Sequence, residues 1–154
     1  MPSFLLVLLL SIGSVQAPAT LRIFGAVPHP LTITAVELTA MSRVKVTASA
    51  HDQTGIYEGV TIREILTLAG VPAGENLRGA ELAKTVIVTG ADSYRAAFGV
   101  AEFDAAFTDR LSILADRKDG AALTGNAAPF QLIVTGEKRP ARWVRQVVSI
   151  EVRP

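Results

Sequence analysis

The stretch Tyr57-Glu58-Gly59-Val60-Thr61-Ile62-Arg63-Glu64-Ile65-Leu66 holds a helix start that can be read residue by residue. Thr61-Ile62-Arg63-Glu64 is a capping box, in which the Thr61 hydroxyl accepts from the Glu64 amide while the Glu64 carboxylate reaches back. Ile62, Ile65, Leu66 and Ala69 recur at helical spacing and form one apolar face. Gly70 follows where a helix end needs a left-handed residue, so the helix is short.

Outward from this helix the chain reads mostly as strands. Residues 21–24 and 31–34 are short apolar runs separated by the turn Val27-Pro28-His29-Pro30. Residues 35–41 suit a short helix capped by Thr34. Residues 44–48 alternate apolar and polar, as a half-buried strand does. Residues 86–88 are a buried strand, which Gly90-Ala91-Asp92-Ser93 turns into a second strand at 94–98. A short helix is expected at 100–107. Strands follow at 111–115, closed by a Lys118-Asp119-Gly120 turn, then at 130–134 and 147–152. Strands outnumber helices and the helices are short and interspersed, so the fold class is α+β with mixed and antiparallel sheet.

Composition narrows the function classes. The 154 residues are 49% hydrophobic, enough for one cored domain. The formal net charge of +1 gives no global attraction for nucleic acid. There is no cysteine, which removes thiolate metal ligands, thiol nucleophiles and disulfides. At the N-terminus, residues 4–10 are a continuous apolar run, extended by Ile12 and too short to span a bilayer. Ala17-Pro18-Ala19 then fits an A-x-A cleavage pattern. The organisation read from this is a signal peptide over 1–19 and an exported domain over 20–154. A retained anchor or a buried first strand is the other reading of the same run.

Two clusters could carry chemistry. In Gly136-Glu137-Lys138-Arg139-Pro140-Ala141-Arg142-Trp143-Val144-Arg145-Gln146, four of the chain's 15 Lys and Arg accompany its one Trp. Guanidinium forks suit phosphate, carboxylate or carbonyl oxygens, and an indole face stacks on flat rings. The cluster suits a planar polar ligand, or else it is a solvated basic loop with Trp143 packed in the core. If the segment is extended, Trp143 and Arg145 share a face and Arg142 takes the other. Gly90-Ala91-Asp92-Ser93-Tyr94-Arg95 is a turn that can bring backbone donors and a phenol to a ligand, or simply a hairpin turn. His29 and His51 have no metal-ligand spacing, no serine lies in a nucleophile motif, and Asp104, Asp109, Asp116 and Asp119 read as helix and turn residues.

Several of these segments, taken in order, resemble the molybdopterin-binding fold of the sulfite oxidase family. Residues 57–66 are similar to its "(Y/F)xGVPLxxLL" stretch, with Thr61 where Pro is common. Gly90-Ala91-Asp92-Ser93-Tyr94 resembles "(A/G)xDGY", with Ser93 in place of Gly. Leu114-Ala115-Asp116 with Asp119-Gly120, residues 130–136, and Arg142-Trp143-Val144-Arg145-Gln146-Val147 resemble three later motifs. The match runs over 44–152. The family holds molybdenum through a cysteine after an early strand, and Ala50 stands near that position here.

The resemblance implies a sulfite oxidase-like fold that keeps the pterin-side loops without the metal's protein ligand. It implies a pterin as cofactor-like ligand, no molybdenum, no catalytic residue, and Trp143, Arg145, Arg142, Arg139, Tyr94, Ser93 and Asp92 as the binding residues. Small exported members resemble periplasmic pterin receptors that act beside a membrane signalling protein. The expected function is pterin sensing. A molybdopterin-dependent oxidoreductase or its accessory is the alternative, and a protein-interaction domain without a small ligand is a third.

Overall fold

The computed structural model describes residues 19–154. Apart from Ala19, the expected signal peptide lies outside the described residues. Two five-stranded sheets share one apolar core. The first sheet contains β1 (Thr20–Gly25), β2 (Leu31–Thr34), β5 (Thr85–Gly90), β6 (Arg95–Gly99) and β10 (Val147–Arg153), in the order β2-β1-β10-β5-β6. Among the described residues only the β1–β10 pair is parallel, so the first and last described strands lie side by side. The second sheet has β3 (Val44–Ala50), β4 (Gln53–Thr61) and β7 (Ser112–Lys118) in antiparallel succession. The far edge of β7 is shared by β8 (Ala121–Ala122) and β9 (Gln131–Val134). The α+β class with mixed and antiparallel sheets is what the sequence pattern calls for.

The helices are short for local reasons. In α1 (Ala35–Ala40) Thr34 and Glu37 form a reciprocal capping box, with amide-to-side-chain bonds of 3.2 and 2.7 Å. In α2 (Ile62–Leu68) Thr61 Oγ1 accepts from the Glu64 amide at 3.1 Å. The return arm from Glu64 is not formed there; Thr61 is also the last residue of β4, opposite Ile113. Gly70 at φ +83° ends α2. The Val71 amide reaches back to Leu66 and the Gly70 amide to Thr67, a Schellman arrangement. A Cβ on Gly70 would meet Pro28 at 2.9 Å, so the Pro-rich turn packs on this helix end.

Three further expectations change. β4 is a full strand over residues 53–61, where no strand pattern is written in the sequence, and β3 runs on to Ala50. The helix expected at 100–107 is a single 3₁₀ turn, Val100–Phe103. The Asp104 carboxylate accepts the amides of Ala106 (2.9 Å) and Gly74 (2.8 Å), which turns the chain instead of continuing a helix.

Gly59 explains the glycine of the opening stretch. The β4–β7 register shifts between Glu58 and Gly59, and a Cβ at 59 would lie 2.0 Å from the Leu114 carbonyl oxygen. Only glycine lets the two backbones approach so closely. The two sheets are stitched together where the Leu132 amide donates to Val144 (2.8 Å) and the Val147 amide to Phe130 (2.9 Å).

Candidate functional site

A cleft of about 790 Å³ opens where the β3–β4 turn, the end of β7, the 90–94 turn and the 140–145 segment converge. Gly90 makes the convergence possible. A Cβ there would sit 2.5 Å from the Arg145 carbonyl oxygen, so the end of β5 can touch the 144–145 backbone only without a side chain. The Ala91 amide donates to the Gln146 carbonyl at 2.9 Å, which fastens the two segments. The turn itself is closed by the Gly90 amide on Tyr94 O (2.9 Å) and the Ser93 amide on Gly90 O (3.0 Å).

Asp92, Tyr94, Trp143 and Arg145, from both sequence clusters, line this one cleft. Asp92 Oδ1 accepts from the Tyr94 amide at 3.0 Å, which orients its carboxylate. The Tyr94 hydroxyl donates to the Ala141 carbonyl at 2.5 Å, while the residue stays half exposed. Its ring is thus tethered at the tip and open to solvent. Trp143 is 7% exposed, its Nε1 donates to Val134 O at 3.1 Å, and Tyr57 meets it edge-on at 5.7 Å. It is therefore at once a core residue and a wall of the cleft. The two readings of the sequence are not exclusive.

The other three expected residues point elsewhere. Ser93, in the left-handed region at φ +68°, is exposed and does not line the cleft. Arg142 is turned away: it pairs with Glu137 and with Glu102 (3.0 Å), donates to Ala97 O (3.2 Å) and lies 4.2 Å over the Phe98 ring. Burial lowers its pKa, but the two carboxylates outweigh this and hold it above the ordinary arginine value. Arg139 lines a separate, shallower hollow. The division between Trp143 with Arg145 and Arg142 matches strand alternation, yet Pro140–Arg142 is a 3₁₀ turn, so the turn and not a pleat separates them.

The structure adds residues that no sequence motif gathers. Lys118 Nζ lies 5.5 Å over the Tyr57 ring, and Asp119 accepts the Ile56 amide at 2.9 Å. Lys118 and Asp119 line the cleft with Gln53, Gln131 and His51. The one local hint was the Lys118-Asp119-Gly120 turn, which gives no direction for its side chains. Lys118 and Arg145 form no ion pair among the described residues. The cleft therefore offers two free cations, two backbone-oriented carboxylates, amides and aromatic surface. That set suits a flat, polar, hydrogen-bonding ligand.

A molybdenum centre does not fit these residues. Ala50 lines the cleft near the position where the resemblance expects the ligating cysteine, and the chain has no cysteine. Among the described residues no three His, Cys, Asp or Glu side chains gather to hold a metal.

No family model matches the chain, and no curated protein matches it. Among solved structures the chain is similar to the sulfane dehydrogenase SoxCD from Paracoccus pantotrophus. The TM-score is 0.70 at 22% identity, and the likeness covers 88% of this chain and 38% of that one. At this identity the likeness is one of fold, and it relates this two-sheet α+β architecture to part of a much longer enzyme chain.

Proposed function

We propose that the protein is an exported, periplasmic pterin-binding receptor that works without molybdenum and signals to a membrane protein. The observation that carries this is the meeting of Asp92 and Tyr94 with Trp143 and Arg145 around one cleft. A pterin is a flat bicycle with a 2-amino-4-oxo edge that both donates and accepts. Tyr94 offers an open face for stacking, and Trp143 supplies the wall behind it. Arg145 donates to the oxo edge, and a carboxylate, Asp92 or Asp119, accepts from the amino edge. The sequence resemblance to pterin-side loops supports the same ligand.

The test is calorimetric titration of the full chain with biopterin and neopterin, in oxidised and tetrahydro forms. Arg145→Ala and Tyr94→Ala should each weaken binding at least about tenfold, since about 1.4 kcal/mol suffices. Arg22→Ala, outside both loops, should leave affinity unchanged. Unchanged affinity in both cleft variants, with circular dichroism showing folded protein, removes the cleft as the site. The second reading, an accessory of a molybdopterin-dependent oxidoreductase, draws on the likeness to a sulfane dehydrogenase. Co-purification with a molybdenum-bearing partner and no affinity for free pterins would favour it.

A further inference from the structure

The 136–146 segment borders a second hollow, of about 430 Å³, which shares no lining residue with the cleft. Four of its six lining residues are cations: Arg110, Lys138, Arg139 and Arg142. Glu137 lines the hollow too, and both it and the neighbouring Glu102 are engaged by Arg142. Arg110, Lys138 and Arg139 have no ion-pair partner among the described residues.

The placement of Arg110 is built into the fold. Thr135 clamps the preceding loop twice, its Oγ1 accepting the Leu111 amide (2.8 Å) and its amide donating to Leu111 O (2.9 Å). This sets Arg110 across Gly136, whose φ is +73°; a Cβ there would lie 3.7 Å from Arg110 Cγ. Among the described residues, no backbone amide from 136 to 139 donates to a backbone carbonyl or to a side chain. Cations without an ion-pair partner, gathered around one hollow, supply the charge and the guanidinium forks that hold a tetrahedral oxyanion.

We propose that this hollow binds a phosphate group through Arg110, Lys138 and Arg139. The proposal does not rest on the pterin reading, because it uses other residues. A phosphate group can come from a free small molecule or from a lipid headgroup, and both share this chemistry.

The test uses the full chain and the double variant Arg110→Gln/Arg139→Gln; neither arginine side chain makes a hydrogen bond among the described residues. Inorganic phosphate is titrated at constant ionic strength. Vesicles of phosphatidylglycerol are compared with vesicles of phosphatidylcholine, and polyglutamate serves as a carboxylate control. The expected result is saturable binding to phosphate or to phosphatidylglycerol vesicles that the double variant weakens at least about tenfold. Binding to free phosphate assigns a small-molecule source, and binding to the vesicles alone assigns a lipid source. Equal binding by both proteins, no saturable binding, loss of binding when chloride replaces inert buffer ions, or stronger binding to polyglutamate than to phosphate overturns the proposal. Pterin affinity of the same variant should stay at the unmodified value, so that failure of one site is read separately from failure of the other.

Discussion

Trp143 sits between two duties, and its substitution should report both. Truncation to Ala empties a buried site beside Tyr57 and should cost roughly 3–5 kcal/mol, as large core truncations do. It should also weaken pterin binding at least about tenfold, but only on molecules that remain folded. Urea melts run beside the titration separate the two effects. Arg145→Ala is the cleaner probe, because Arg145 is exposed and should change affinity with stability within about 0.5 kcal/mol. Asp104 is a different residue-scale case. It is 4% exposed and lies 3.6 Å from Arg63. Burial pushes its pKa up, yet the amides of Gly74 and Ala106 and the Arg63 charge outweigh burial, so the net shift is downward. A lowered folded-state pKa gives stability that is complete above the unfolded value of about 4 and is lost as pH falls through the folded one. Asp104→Asn should therefore destabilise the protein at pH 7 and flatten the acid limb of a stability-against-pH curve. An unchanged acid limb would show that Asp104 is not the group responsible.

Among the elements, α2 and its neighbouring strand show how local code and tertiary contact divide the work. Leu66 is fully buried and Leu66→Ala should cost roughly 2–5 kcal/mol. Thr61→Ala removes a single cap bond and should cost about 1 kcal/mol. Denaturant melts that rank the pair in reverse would move the helix out of the core. Gly59→Ala should exceed the cap loss, at about 2 kcal/mol or more, because the Leu114 carbonyl blocks the new methyl at 2.0 Å and both strands must shift. The α2 start and stop were legible in Thr61, Glu64 and Gly70, since capping is written in neighbouring residues. β4 was not, because Gly55 and Gly59 break its apolar alternation, and the reason for Gly59 is the Leu114 backbone far along the chain.

For the whole molecule, the parallel pairing of β1 with β10 places the Thr20–Gly25 strand inside the first sheet. The Ala19 carbonyl accepts the Ala35 amide at 3.1 Å, at the start of α1. N-terminal sequencing of the periplasmic protein should begin at Thr20 or Pro18. A Pro18 start keeps the Ala19 contact, and a Thr20 start gives it up. Intact Met1 in a soluble periplasmic fraction would contradict processing. Elemental analysis of the same material should find no stoichiometric molybdenum, because no thiolate is available to the cleft. About one molybdenum per chain would overturn the receptor reading.

The sequence alone determined what depends on neighbours along the chain: both helix caps, the strand-rich α+β class, the two loops rich in aromatic and charged residues, and the lack of thiolate chemistry. Tertiary structure decided which side chains meet. Trp143 and Arg145 join Asp92 and Tyr94 because Gly90 lets two backbones touch. Arg142, one position from Trp143, is drawn off by Glu102 and Glu137. A charge on an open turn goes to whichever partner the fold brings within reach, and that partner is set by packing at long sequence separation, where local pattern carries no information.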